Sequence, residues 1–196
     1  MKKLLISLLT ATLLTAMPAQ TVWSHESNTF ASTTTDSATF TTYSVSGFVR
    51  SHNPKKPVLL QLMQNNTEKY REIIAADAAG GQRDQHFSFE GVEPGIYTLV
   101  ATKEAHLKST IHNIVVSHED LDLTKANRAE ARLISMKGGD LNDDGQINSA
   151  DLLILLGRYL ESGEHILADI NGDGQVDSAD MNILLSSYLQ LKKQSE

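Results

Sequence analysis

Two stretches gather oxygen side chains at a spacing that could hold a hard cation. Residues 140–151 read DLNDDGQINSAD, and 29 residues later residues 169–180 read DINGDGQVDSAD. Each places Asp or Asn at loop positions 1, 3, 5, 9 and 12, glycine at 6 and an aliphatic residue at 8, the pattern of a Ca²⁺-binding loop. Copy one offers Asp140, Asn142, Asp144, Asn148 and Asp151, with Gln146 lending its backbone carbonyl. Copy two offers Asp169, Asn171, Asp173, Asp177 and Asp180, with Gln175 in the carbonyl role. Asp, Asn and Gly also crowd ordinary turns, but residues 140–160 and 169–189 agree at 13 of 21 positions, well past the ligands. The expected cargo is two calcium ions.

The elements around the loops are not those of an ordinary EF-hand, which needs a helix entering the loop. Gly138 and Gly139 stand where that helix would end, each costing about 1 kcal/mol relative to alanine in a helix interior. Only the exiting helices read clearly, and position 12 is Asp rather than the longer Glu. Each helix carries an apolar stripe at i, i+3, i+4, i+7: Leu152, Leu155, Leu156 and Tyr159, then Met181, Leu184, Leu185 and Tyr188. Leu153, Ile154 and Leu160 lie off the first stripe, Ile183 and Leu189 off the second, more apolar surface than one core face requires.

A loop and an exiting helix, twice, each loop closed by Ser-Ala-Asp, resembles a dockerin over residues 138–191. That resemblance implies a calcium-folded helical module, a cohesin domain of a scaffold protein as partner, and an extracellular cellulosome-like assembly. The contact positions it implies are Ser149, Ala150, Leu153, Leu156 and Gly157 in copy one, and Ser178, Ala179, Asn182, Leu185 and Ser186 in copy two. Because Ser-Ala repeats identically, a rotation of about 180° would present either helix to the same partner.

Charge divides the chain. Residues 138–196 hold 11 acidic and 3 basic residues, whereas the remainder holds 13 acidic and 14 basic. The formal net charge of −7 is thus local to the loops and disfavours nucleic acid as a partner. Cysteine is absent, so no disulfide can staple a small core, and a metal is the natural substitute.

Residues 1–24 read as a signal peptide: Lys2 and Lys3, an apolar run over 4–14, and a small-residue exit with cleavage after Ala19 or Ser24. The run is too short to span a bilayer, so a secreted protein with no membrane span after signal removal is expected. Residues 25–43 form a Ser/Thr-rich flexible leader, in which Phe30 and Phe40 are isolated. Strand-like runs follow at 44–50, 58–64, 70–76, 86–92, 96–102, 110–116 and 131–136, punctuated by Pro54, Pro57, Gly80, Gly81, Pro94 and Gly95.

The expected fold is an all-β sandwich over 44–136, followed by a small all-α calcium-binding module at 138–191 and a tail at 192–196. Within the sandwich, Phe87 and Phe89, a Pro-Gly turn, then Tyr97, Leu99 and Ala101 resemble the transthyretin-like group, which includes carboxypeptidase regulatory-like and Cna-B-type domains. The Lys–Asn isopeptide bond of some Cna-B relatives does not transfer, since SVSGFVR has no lysine.

No H-E-x-x-H, G-x-S-x-G, P-loop or cysteine nucleophile occurs, and no carboxylate pair for glycoside cleavage can be picked out. These features describe a secreted, non-catalytic adaptor. One alternative is a polysaccharide-binding accessory module, since that fold includes carbohydrate-binding relatives, although the one tryptophan, Trp23, lies in or beside the signal. Another is a helical module packed intramolecularly on the sandwich.

Overall fold

Strand-forming residues at period two build the first half of the chain, and the computed structural model describes residues 41–194. Their order is β1 (Tyr43–His52), β2 (Val58–Gln64), β3 (Thr67–Ile74), β4 (Gln82–Val92), β5 (Gly95–Lys103), β6 (His106–Val116), β7 (Leu121–Asp122), α1 (Ala129–Arg132), β8 (Ile134–Ser135), α2 (Ser149–Gly157) and α3 (Ser178–Gln194). One sheet centres on β1, which pairs antiparallel with β4 and parallel with β7 and β8. The other runs β3-β2-β5-β6, antiparallel throughout.

Alternate residues of both sheets face inward. Val45 and Val49 of β1, Leu60 and Leu62 of β2, Phe87 and Phe89 of β4, and Tyr97, Leu99 and Ala101 of β5 share one buried cluster. Phe87 and Phe89 meet edge to face with ring centroids 5.9 Å apart. The Tyr97 hydroxyl donates to the Glu93 carbonyl at 2.9 Å and pins the Pro-Gly turn. The expected sandwich followed by a small helical module is therefore the fold.

Several boundaries differ from the sequence reading. β3 starts at Thr67 rather than residue 70 because Asn65 and Asn66, at φ 51° and 61°, close a two-residue hairpin turn without glycine. β6 begins at His106 rather than residue 110, after Ala105 takes φ 59°. The strand expected over 131–136 survives only as β8, because the helix formers Ala129, Glu130, Ala131 and Arg132 wind a turn first. Tyr43, expected in the leader, is the first residue of β1. The signal-peptide residues, Trp23, Phe30, Phe40 and Glu196 lie outside the described residues. Among the described residues no helix is long and apolar enough to cross a membrane.

The C-terminal module has its own core of Leu141, Ile147, Leu155, Ala168, Ile170, Val176 and Leu184. It joins the sandwich within one compact unit through the segment entering the first loop. The Leu107 N–H donates to the Lys137 carbonyl at 2.7 Å, and the Gly139 N–H to the Ala105 carbonyl at 2.8 Å. Ala105 and Leu107 then pack on the module core. A Cβ at Gly138 would stand 2.7 Å from Ile170 Cγ2 and 3.1 Å from Ile183 Cγ2. Gly138→Ala should therefore cost about 1–3 kcal/mol by overpacking, read as a lower thermal midpoint.

His106 sits at this junction, paired with Gly138 in an isolated antiparallel bridge. Its Nδ1–H donates to the Glu104 carbonyl at 2.8 Å, and its Nε2 accepts the His52 N–H at 3.2 Å, an arrangement only the neutral ring can make. Burial, aided by nearby Lys103 and His52 and opposed by the Glu104 carbonyl, pushes its pKa from 6.5 down to about 4. The unfolded chain takes up the proton first, so stability present above pH 6.5 is lost as pH falls toward 4, by about 3 kcal/mol. Thermal unfolding followed from pH 7 to 4 should show this slope, and His106→Gln should flatten it.

Candidate metal loops and docking face

Both loops are wound so that carboxylates meet backbone amides. In copy one, Asp140 accepts the Asp144 N–H on Oδ1 at 3.2 Å and the Gly145 N–H on Oδ2 at 3.1 Å. Asp144 Oδ1 accepts the Gln146 N–H at 2.8 Å, and Asn142 bonds Asp144 through both its amide oxygen and its nitrogen. Copy two repeats these bonds, with Asp169 accepting the N–H groups of Asp173 and Gly174 and Asp173 that of Gln175, and adds one, from the Gly172 N–H to Asp169. Asn148 and Asp177 at position 9 accept from Ala150 and Ala179 and cap the helices.

Position 12 carries a second role that its spacing did not reveal. Asp151 is wholly buried; its Oδ1 accepts the N–H groups of Leu141 and Asn142, and its Oδ2 that of Asn148. Asp180 does the same with Ile170, Asn171 and Asp177. Each ties the start of its loop to the start of its helix, and Asp151 completes a capping box on α2.

Among the described residues, no ion pair that is formed reaches these negative charges: the pairs are Arg50–Asp84, Lys56–Glu104, Arg71–Glu68, Lys125–Asp122, Arg128–Glu130 and Arg158–Glu161. Burial raises the pKa of Asp140, opposed by the Gly145 and Asp144 amides and aided by the Asp151 charge; burial likewise raises that of Asp180, opposed by the Asp177, Asn171 and Ile170 amides and aided by Asp169. Among the described residues no three Asp, Glu, His or Cys side chains are drawn together as a ready metal cluster. An oxygen cage in these loops would have to draw also on the amide oxygens of Asn142, Asn148 and Asn171 and the carbonyls of Gln146 and Gln175. An all-oxygen donor set around uncompensated carboxylates fits a hard divalent cation.

No helix runs directly into either loop among the described residues: α1 ends at Arg132 and α2 at Gly157. Instead the chain after α2 returns along copy two: Leu160 N–H donates to the Val176 carbonyl at 2.8 Å, and Val176 N–H to the Glu161 carbonyl at 2.9 Å. This clasp, closed by a bridge between Ser162 and Gln175, couples the two repeats.

The helices bury less than their period suggests. Leu155 and Leu184 are core, and Leu152, Ile154, Met181 and Ile183 are half-buried. Leu156, Tyr159, Leu185 and Tyr188, expected on the core stripes, are exposed. Leu153 and Leu156 share the outer face of α2, with Leu160 just past its end; Leu185, Tyr188 and Leu189 share that of α3. Leu153, Leu160 and Leu189 are 69%, 79% and 62% exposed. Ser149, Ala150 and Gly157 lie exposed on or beside the α2 face. Ser178 is exposed and Ala179 half-buried at the start of α3, while Asn182 and Ser186 line a 270 Å³ cleft against His52, Gln82 and Lys137 of the sandwich.

Residues 138–189 match the model of the dockerin type I domain. Dockerin modules are calcium-binding and belong to extracellular cellulosome assemblies. A larger part of the chain resembles a chain of the type II cohesin–X-dockerin complex of Acetivibrio cellulolyticus. For its N-terminal interface mutant the TM-score is 0.56 at 20% identity, covering 74% of this chain and 94% of that one. For its C-terminal interface mutant the TM-score is 0.54 at 20% identity, with the same coverage of 74% and 94%. Neither the sandwich nor the helical module could fill that share alone, so the likeness of fold takes in both. No curated protein matches the chain.

Proposed function

We propose that residues 138–191 form a dockerin folded by two calcium ions, and that it binds a cohesin module of a scaffold protein. It thereby attaches the sandwich of residues 44–136 to an extracellular polysaccharide-degrading assembly. The protein is then a secreted, non-catalytic adaptor, exported by residues 1–24. The observation that carries this reading is the pair of exposed apolar helix faces on a module whose core is already filled by other residues.

The module does pack on the sandwich, through its loops, residues 137–139 and the Asn182–Ser186 side of α3, which leaves Leu153, Leu156 and Leu160 and, on α3, Leu185, Tyr188 and Leu189 exposed for a second protein. Direct glycan binding finds less support. Among the described residues of the sandwich, the exposed large aromatic is Phe48, whose ring is met edge-on by His86 at 5.2 Å, so no flat row of rings awaits a sugar. The test is capture of the purified chain by a panel of immobilised cohesins with Ca²⁺ and with chelator. Binding to at least one cohesin, abolished by chelator, is the expected outcome; binding to insoluble glycan and to no cohesin would overturn it.

A further inference from the structure

The two loops differ in what stands behind them. Asn53, at φ 54° and buried, donates from Nδ2 to the Asp169 carbonyl at 3.1 Å. Gly81 donates its N–H to the Asn171 carbonyl at 2.9 Å and accepts the Asn53 N–H at 3.0 Å. Both sandwich donors act on peptide groups whose other end holds a loop carboxylate. The peptide that begins at the Asp169 carbonyl ends at the Ile170 N–H, which donates to Asp180 Oδ1 at 2.8 Å. The peptide that begins at the Asn171 carbonyl ends at the Gly172 N–H, which donates to Asp169 Oδ1 at 2.8 Å. Hydrogen bonds in series polarise one another, so each sandwich donor strengthens the amide that orients a position-1 or position-12 carboxylate.

Copy one has no counterpart. Among the described residues no sandwich group donates to the Asp140 or Asn142 carbonyls, and the Asp143 N–H makes no bond to Asp140. Loop position 4 records the same difference. Asp143 is exposed at φ 57°, whereas Gly172 is buried at φ 77°, where a Cβ would lie 2.5 Å from Asn53 Oδ1. The close approach of the sandwich requires glycine in the second loop and leaves the first free to carry aspartate.

We infer that the sandwich is an outer shell of the second ion site: Asn53 and Gly81 brace the folded form of loop 169–180, so it binds Ca²⁺ more tightly than loop 140–151. This rests on the calcium reading above. Neither Asn53 nor Gly81 touches the ion; they are positioning residues. Removing such outer partners typically lowers metal affinity about 10- to 100-fold.

The two loops can be read separately by NMR, because the Gly145 and Gly174 amides each donate to the position-1 carboxylate of their own loop. In the full chain titrated with Ca²⁺, Gly174 should half-saturate at the lower concentration. Asn53→Gly, which keeps the left-handed backbone and removes only the side chain, should raise the Gly174 midpoint about tenfold and leave Gly145 in place. Gly172→Asp, which drives a side chain into Asn53, should give the same selective shift, with no further loss in the double variant. An unmoved Gly174 midpoint, or equal shifts at both glycines, would overturn the inference while leaving calcium binding intact. Wild-type amides that ignore millimolar Ca²⁺ would overturn the calcium reading itself, and this inference with it.

Discussion

Chelation of Ca²⁺ should unfold residues 138–191 and leave the sandwich folded. The module core consists of seven fully buried apolar residues, one of them alanine, whereas the sandwich core has eighteen. Each loop also keeps two carboxylates almost wholly buried, Asp140 with Asp151 and Asp169 with Asp180, and none of the ion pairs between described residues involves them. At a thousandfold excess over its dissociation constant one bound ion adds about 4 kcal/mol, comparable to the stability so small a core can supply. Far-ultraviolet circular dichroism should therefore lose its α2 and α3 contribution on chelation and regain it with Ca²⁺, while the strand signal persists. Asp180→Ala should do part of the same with Ca²⁺ present. It deletes the acceptor of three backbone amides as well as an ion ligand, and bonds to charged acceptors contribute about 1.5–3 kcal/mol each, so a loss of about 4 kcal/mol or more is expected. Asp151→Ala should behave alike. Helicity unchanged in both variants and in chelator would remove the loops from the folding of this module.

Legibility in the sequence followed the range of the interactions. The loops were readable because their donors lie within twelve residues and recur 29 residues on; the strands, because alternation is local. The turns at Asn65-Asn66 and Ala105 are not readable, since glycine and proline are what mark a turn in sequence and these residues take left-handed backbone without them. The helix stripes were half legible. Period identifies a face, but which residues of it are covered depends on Leu141, Ile147, Ile170 and Val176, which come from the loops and fill the module core before Leu156 or Leu185 can reach it. The clamp on copy two was beyond reach: Asp143 and Gly172 differ in plain view, yet the cause is Asn53, more than a hundred residues away.

Serine in place of both Leu153 and Leu156 should weaken cohesin binding at least about hundredfold with helicity intact. Both side chains are exposed on the outer face of α2, so losing them removes little from the fold. At an interface each would bury its surface, and a fully buried leucine is worth about 1.5–3 kcal/mol, so the pair carries about 3 kcal/mol or more, or a factor of a hundred upward. The matching change on α3, Leu185 and Leu189 to serine, tests whether the repeats are interchangeable. Their sequences argue for equivalence, since Ser149-Ala150 and Ser178-Ala179 open the two helices alike. Their surroundings argue against it. A partner approaching the start of α3 also meets Gln82 and Lys137 across the cleft lined by Asn182 and Ser186, and Lys137 already donates to Gln190. The two double variants should therefore lose different amounts of affinity, as measured by calorimetry against one cohesin. Equal, small losses that become total only when all four leucines are replaced would instead mean that the module turns over and docks either way.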